Sequence, residues 1–476
     1  MTQPSRRSGR PSRPRAPHPP RRFRQPSRPP VEDPARRAAL DTLRAVRHRD
    51  AYANLLLPQL LRERRITGRD AALATELAYG TCRMAGLLDQ VLAECVDRPL
   101  SKVEPELLDA LRLGGYQLLR TRIPPHAAVD STVDLVRGEQ GSRVAGFVNA
   151  VLRKVAEHGE QEWIDRLAPD PAEDPVGHLA VRTAHPRWVA RAYADALGST
   201  GEELAAALAA NNERPTVHLV ARPGEVSAAE LAARTGGEVA PYSPYGVRLA
   251  AGAGDPAYLD PVRERLAAVQ DEGSQLCALA LTRPALDGPD GRWLDLCAGP
   301  GGKAALLGAL AGMAGGTLDA VDKAPHRARL VEQITEGLPV RVHVADGRDS
   351  GLPAGAYDRV LVDAPCTGLG ALRRRPEARW RRQPSDVGGL TRLQRELLLA
   401  AVSLVRPGGV VAYVVCSPHL AETVGVVADV VRRTGVTALD AREHFPRVSD
   451  VDDGPYVQLW PHRHGTDAMF CALLRK

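Results

Sequence analysis

The chain has 476 residues, 44% hydrophobic and 4% aromatic, with a formal net charge of +6, and that length calls for two or three domains rather than one core. No run of 18 or more apolar residues occurs and the first residues lack an apolar signal segment, so no membrane span is expected and a soluble, cytoplasmic protein is. Seven cysteines scattered without CxxC or zinc-ligand spacing argue against a disulfide framework and a structural metal.

The charge is unevenly placed. Residues 1–30 contain nine Arg, nine Pro and no acid, which leaves about −3 for the remainder. Such a tail buries too little apolar surface to offset its ordering entropy, so it is expected to be disordered, serving as a phosphate-binding arm or only as a solubilising one. From residue 31 to about 165 the apolar residues recur at helical spacing, as in Ala38, Ala39, Leu40, Leu43 and Val46, which predicts an all-helical domain. There Asn149 and Arg153 lie four apart on one helix face, either toward an RNA backbone or simply toward solvent. Residues 165–185, rich in Pro, Asp and Ala, read as a linker. Helices about 188–197 and 202–211, strands at 216–220 and 247–249 and a helix between them predict a small α+β domain over 166–271.

From 272 to 476 short apolar strands alternate with helices: 292–297, 316–322, 341–346, 358–364 and 409–416. That rhythm predicts a doubly wound parallel sheet of Rossmann-like type, closed by a β-hairpin over 457–461 and 468–475 at its edge. Ligands of such sheets collect beyond the carboxyl ends of the strands, where the polar residues fall. The loop Cys297-Ala298-Gly299-Pro300-Gly301-Gly302-Lys303 follows the first strand, and its glycines let backbone N–H groups approach a carboxylate. Asp322 ends the second strand, where an acid accepts ribose hydroxyls, and Asp346 ends the third, where it can accept the adenine amino group. The loop departs from GxGxxG, which favours S-adenosylmethionine over a nicotinamide cofactor. Cys366 and Cys416 end the fourth and fifth strands beside Asp363. A cysteine next to a methyl donor suits alkylation of a cytosine carbon, because a thiolate added at C6 turns C5 into a nucleophile. Asp363 can hydrogen-bond N4 or protonated N3 of the base. Buried cysteine is often an inert small hydrophobe, but two at polar strand ends argue for chemistry. The run Arg373-Arg374-Arg375-Pro376 with Trp380-Arg381-Arg382 is expected to contact RNA by phosphate neutralisation and base stacking, the rival reading being a solvated basic helix face.

At these residues the chain resembles the bacterial 16S ribosomal RNA cytosine-C5 methyltransferases of the RsmB/Sun type, within the NOL1/NOP2/Sun family. The family pattern CAAPGGKT appears as Cys297 to Ala304, DAPC as Asp363 to Cys366, and TCS as Val415 to Ser417. Ahead of them Tyr79 to Arg83, Pro125 to Val129 and Gly146 to Arg153 resemble its NusB-like RNA-binding domain. The resemblance implies a NusB-like all-α domain, a small α+β domain and a class I methyltransferase domain. It implies that the loop Cys297 to Lys303 with Asp322, Asp346 and Asp363 binds S-adenosylmethionine, that Cys416 is the nucleophile and that Cys366 assists release of the methylated RNA. The sequence spacing alone does not rank the two cysteines. The implied partner is small-subunit ribosomal RNA, with no membrane, no metal and a monomeric enzyme. Val415 stands where the family has Thr, and Gly299 and Thr423 also depart from its pattern. A non-catalytic RNA-binding or ribosome-assembly factor is the rival reading, and the retained cysteines and strand-end acids speak against it. A transfer RNA substrate is a third reading, which the NusB-like domain disfavours.

Overall fold

Leucine and alanine at helical spacing build the helices α1 (Pro34–Arg49), α2 (Ala53–Glu63), α3 (Gly68–Cys95), α4 (Pro105–Arg120), α5 (Pro125–Gln140), α6 (Ser142–Val155) and α7 (Glu160–Leu167). The computed structural model describes Met1 and residues 33–476, so the basic tail, apart from Met1, falls outside the described residues. The Asp33 carboxylate accepts the Arg36 N–H at the start of α1, and Pro34 occupies the first turn, where its missing donor costs nothing. The 28-residue α3 is the spine of this bundle, burying Leu77, Leu87, Leu88 and Val91. Gly80 makes room for Tyr116 of α4, whose ring lies 2.0 Å from where a Cβ would stand. On α6, Asn149 is half-buried and Arg153 exposed.

Part of the expected linker is helical. Asp174 accepts the Gly177 N–H and Pro175 opens α8 (Pro175–Arg182), which buries Val176 and Ala180 against α9 (Arg187–Leu197) and α10 (Glu202–Ala210). The Pro and Asp that suggest a loop here are a helix start. Next come β1 (His218–Ala221), α11 (Ala228–Thr235), β2 (Glu238–Val239), β3 (Gly246–Arg248), α12 (Asp260–Arg263) and β4 (Ala267–Val269), giving an antiparallel sheet ordered β2-β3-β1-β4. Its outer strands β2 and β4 have two and three residues, too few to show a periodicity in sequence.

The larger sheet arises from α13 (Glu272–Thr282), β5 (Arg292–Asp295), α14 (Gly302–Met313), β6 (Thr317–Asp322), α15 (Pro325–Ile334), β7 (Val340–Val344), β8 (Tyr357–Asp363), α16 (Ala378–Arg381), α17 (Pro384–Leu404), β9 (Val405–Val415), α18 (Val424–Thr434), β10 (Thr437–Leu439), β11 (Val457–Gln458), α19 (Pro461–His464) and β12 (Phe470–Arg475). Its order is β10-β12-β9-β8-β5-β6-β7, with β5 to β9 parallel and β12 antiparallel to both β9 and β10. The expected hairpin forms, β11 pairing β12 through Val457 and Cys471. It does not cap the edge, however: β12 runs inside the sheet and β10 is outermost. Phe470, Cys471, Ala472, Leu473 and Leu474 are all buried, the continuous apolar signature of an interior strand. Chain order reverses between β5 and β8, which opens the crevice where ligands of such sheets bind.

The basic, aromatic run expected to stack on RNA is mostly turned inward. Arg373 and Arg374 pair with Asp271 and Asp467. Arg379 is fully buried and donates to the carbonyls of Ala184 (2.8 Å) and Asn211 (3.3 Å) and to Asn212 Oδ1 (2.8 Å). With no carboxylate beside it, burial pulls its guanidinium down to about 9. The Trp380 ring covers Gly86 of α3 and its Nε1 donates to the Arg83 carbonyl at 3.1 Å, while Arg381 donates to the carbonyls of Asp50 and Ala51. The run therefore fastens the parallel-sheet domain to the helical domain. Trp380→Ala is expected to lose about 3 kcal/mol of stability in urea unfolding; a loss under about 1 kcal/mol would contradict this docking role.

Candidate functional site

Strand ends place the reactive groups. β9 ends at Val415, which packs inward with Phe470 and Val362, and strand alternation turns the next residue, Cys416, the other way. The Val415 position therefore lies in the apolar core, so the hydroxyl that Thr would add there would enter that core. Gly370 N–H donates to the Cys416 carbonyl at 2.9 Å, folding the chain after β8 over the end of β9. The Cys366 and Cys416 sulfurs then lie 3.5 Å apart. All seven cysteines are free thiols, and Cys297, Cys366 and Cys416 are the ones partly exposed, all at the crevice.

The two thiols sit in different fields. Cys416 is pulled below the ordinary thiol range, first by the hydrogen bond from Cys366 and also by the positive charges of Arg375 and Lys303. Cys366 is pushed up by that same pairing, by burial and by the Glu422 carboxylate beneath it. Either sulfur could donate across the 3.5 Å contact, and the surrounding charges favour a thiolate at Cys416 over one at Cys366. Glu422 is fully buried and carries no cation partner among the described residues. It accepts the Thr367 N–H (2.8 Å), the Thr367 and Ser417 hydroxyls (the latter at 2.7 Å) and Gln394 Nε2 (3.0 Å). One carboxylate thus ties the turn after Cys366 to the turn after Cys416.

Across the crevice lies the glycine loop. Gly301 has φ +114°, and a Cβ there would meet Ile334 at 2.4 Å, so only glycine carries the chain into α14 at this point. At Gly299 a Cβ would stand 2.4 Å from Asp322 Oδ2 and 2.7 Å from Arg327 Nε, so those side chains would have to shift. The Asp322 carboxylate accepts the N–H groups of Gly299 (3.0 Å) and Ala324 (2.9 Å), bracing the loop. Lys303, buried on α14, donates to Asp363 Oδ2 at 2.8 Å, so one oxygen of Asp363 is committed while its side chain stays partly exposed. Asp346 stands further out, gripped by Arg348 through its backbone and side chain, and that grip holds its carboxyl down to about 2.

Two buried acceptors here lack partners: Asp295 Oδ2 at the end of β5, and Gln270 Oε1, whose side chain lies against Gly302. Burial, and then the charge of Asp363, push the Asp295 carboxyl up to about 7. The start of α14 offers N–H groups with no acceptor inside the helix. Buried acceptors opposite free donors, with an acid on the next strand, fit an amino-acid ammonium, its carboxylate and a ribose, the polar groups of S-adenosylmethionine. Asp295 also sets a pH dependence. Its folded value lies above the unfolded value near 3.9, so the fold favours the neutral acid, and that stability is full below about pH 4 and lost as pH rises through 7. Asp295→Asn should accordingly gain little over wild type at pH 4 and on the order of 4 kcal/mol at pH 8 in urea unfolding without a methyl donor. Equal gains at both pH values would show an ordinary carboxylate.

The sequence-predicted loop, Asp322, Asp363, Cys366 and Cys416 converge on one crevice, with Asp346 at its rim. Sequence reasoning named Asp295 only as the start of the loop segment and gave no role to Gln270 or to Glu422, whose carboxylate ties the two cysteine turns. A strand-ending acid directly before the glycine loop was the available signal for Asp295; nothing in spacing reveals Glu422. Among the described residues, no group of three or more His, Cys, Asp or Glu is placed to hold a metal ion, and no helix is long and apolar enough to cross a membrane.

Comparison with known proteins adds the family. Residues 285–475 match the family described as 16S rRNA methyltransferase RsmB/F, and residues 33–157 match the NusB family. A putative methyltransferase of Mycobacterium tuberculosis is 60% identical over 92% of this chain and 96% of its own length. The ribosomal RNA small subunit methyltransferase B of Pseudomonas putida is 35% identical over 85% of this chain and 90% of its own. The solved structure of PH0851 shares the fold, with TM-score 0.77 and 23% identity over 94% of this chain and 99% of that one. With the NusB-type helical domain, the sheet order and the glycine loop in place, the chain belongs to the RsmB/F family of methyltransferases, which use S-adenosylmethionine as methyl donor.

Proposed function

We propose that this chain methylates C5 of a cytidine in small-subunit ribosomal RNA through a covalent bond between Cys416 and C6 of the base. The observation that carries the reading is the pair of sulfurs 3.5 Å apart at the ends of adjacent strands, one pulled toward thiolate and the other kept as a thiol. S-adenosylmethionine, held by the loop from Cys297 to Lys303 with Asp295, Asp322 and Asp346, supplies an electrophilic methyl group. The Cys416 thiolate donates its electron pair to C6, and the 5,6 π pair shifts toward C5 and N3. Asp363, steadied by Lys303, hydrogen-bonds the N3 and N4 edge and favours that shift. After C5 takes the methyl group, with S-adenosylhomocysteine as the leaving group, C5 releases its proton to solvent, that C–H pair re-forms the C5=C6 bond and the C6–S bond breaks, its pair returning to Cys416 as thiolate. Cys366 keeps its proton and hydrogen-bonds the departing sulfur, which eases release.

In this reading residues 31–165 are the RNA-binding domain, 166–271 the intermediate domain and 272–476 the catalytic domain, acting as a monomer in the cytoplasm without a metal. The relatives named as ribosomal RNA small subunit methyltransferases support the substrate class. The test is nucleoside analysis of unmodified 16S ribosomal RNA after incubation with the protein and S-adenosylmethionine. 5-Methylcytidine at one position is the expected product; methylation of another base or atom would overturn the reading.

A further inference from the structure

Five of the six arginines between 373 and 382 have their donors engaged. Arg373 and Arg374 hold Asp271 and Asp467, Arg379 and Arg381 hold backbone carbonyls, and Arg382 faces Asp386 at 3.9 Å. Arg375 differs. Among the described residues its guanidinium has no hydrogen-bond or ion-pair partner, and the residue is exposed. It is nonetheless held in place, because its guanidinium carbon sits 5.1 Å from the ring centroid of Tyr52 in the loop between α1 and α2. Arg381 approaches the same ring at 5.5 Å and is itself anchored to the carbonyls of Asp50 and Ala51, so a second, fixed guanidinium also holds the ring. Stacking on an aromatic ring orients the flat guanidinium, and its N–H groups, without a partner among the described residues, are left for bidentate contact with a phosphate. The location is specific as well: the Arg375 N–H bonds the Ala371 carbonyl, next to Gly370, which holds the Cys416 carbonyl. Arg375 is also one of the charges that act on Cys416.

We propose that Arg375, oriented by Tyr52 of the helical domain, binds a phosphate of the RNA strand beside the target cytidine. The subsite is shared between two domains: the methyltransferase part supplies the binding residue and the helical domain supplies the positioning residue. An arginine already desolvated on one face and ordered by its ring loses less on binding than a free surface side chain, so it reads the strand where the base enters the crevice. Docking of the helical domain thereby acts on the site itself as well as on RNA held at a distance. This inference rests on the RNA methyltransferase reading above.

The experiment uses the full chain and unmodified 16S ribosomal RNA transcript, measuring both the salt dependence of binding and the KM and kcat of methyl transfer. Arg375→Gln, an exposed change that leaves the fold intact, is expected to flatten the slope of log affinity against log salt by about 0.7–0.9, one phosphate contact, and to raise KM for RNA about tenfold. Tyr52→Ala should raise KM about threefold, while Tyr52→Phe, which keeps the ring, should match wild type. An unchanged slope and KM in Arg375→Gln would overturn the phosphate contact. Loss in Tyr52→Phe equal to that in Tyr52→Ala, or no loss in either, would overturn the positioning role. If wild type itself neither binds nor methylates the RNA, the enzymatic reading falls first; if wild type is active and Arg375→Gln is unaltered, this inference alone falls.

Discussion

Cys416→Ala is expected to abolish methyl transfer, by on the order of 10⁴-fold or more, and to leave no protein–RNA adduct on a denaturing gel. Without the sulfur, C5 of cytosine stays a weak nucleophile, and nothing else at the end of β9 can add to C6. Cys366→Ala should behave differently. It leaves the nucleophile and the donor pocket in place but removes the S–H that meets the Cys416 sulfur at 3.5 Å. Addition and methylation should proceed while expulsion slows, so adduct should accumulate with labelled methyl already on the base. The same variant withdraws the largest influence holding Cys416 below the ordinary thiol range, and its rate of adduct formation should shift to higher pH. Methylation surviving Cys416→Ala would reject the covalent route, and adduct accumulating in Cys416→Ala instead of Cys366→Ala would exchange the two roles.

Glu422 predicts the second large effect. Its carboxylate receives four donors from Thr367, Ser417 and Gln394 with no water-facing surface. Glu422→Ala would orphan those donors, each worth roughly 1–3 kcal/mol when left unmet in the interior, and should cost on the order of 4 kcal/mol in chemical denaturation. Glu422→Gln separates charge from geometry. The Thr367 and Ser417 hydroxyls can turn to accept from the new amide nitrogen, so stability should fall by only about 1–2 kcal/mol. The amide oxygen takes the place of Oε1 and still accepts the Thr367 N–H and Gln394 Nε2, so the turn carrying Cys366 should stay beside Cys416. The expected signature is kcat down by about a hundredfold in Glu422→Ala with KM for RNA unchanged, and near wild type in Glu422→Gln; an equal change in kcat and KM would place Glu422 in substrate binding instead.

The fold was readable in sequence where periodicity and punctuation agree. The helical stripes, the glycine loop and the five strand-end polar residues sit in the structure close to where spacing places them, because a parallel sheet puts every strand's carboxyl end on one side. What escaped were long-range assignments. The interior position of β12 depends on which strand it pairs with, and the residues 373–382 read as an RNA surface because an arginine's partner is set by tertiary structure. Four of those arginines face carboxylates or carbonyls that lie tens to hundreds of residues away in the chain. Spacing alone did not rank the two cysteines; the family resemblance did, and Glu422 lying under one with Lys303 and Arg375 acting on the other supports that ranking.

The pairing of Phe470 with Val415 sets a timetable for the protein's synthesis. β9 gains its second neighbour only when β12 arrives, roughly 60 residues later in the chain, on the order of 3–12 s at about 5–20 residues per second. Until then the strand leading to Cys416 is an open edge, and the turn that holds its sulfur against Cys366 has one wall missing, since the Ala468 N–H that binds the Gly370 carbonyl has also not been made. A chain interrupted in that interval carries both cysteines, the whole glycine loop and the Glu422 tie between the cysteine turns, yet β9 lacks one of its two neighbours and the Gly370 carbonyl lacks its donor from Ala468. Its site is then braced from the β8 side alone until the last strand arrives.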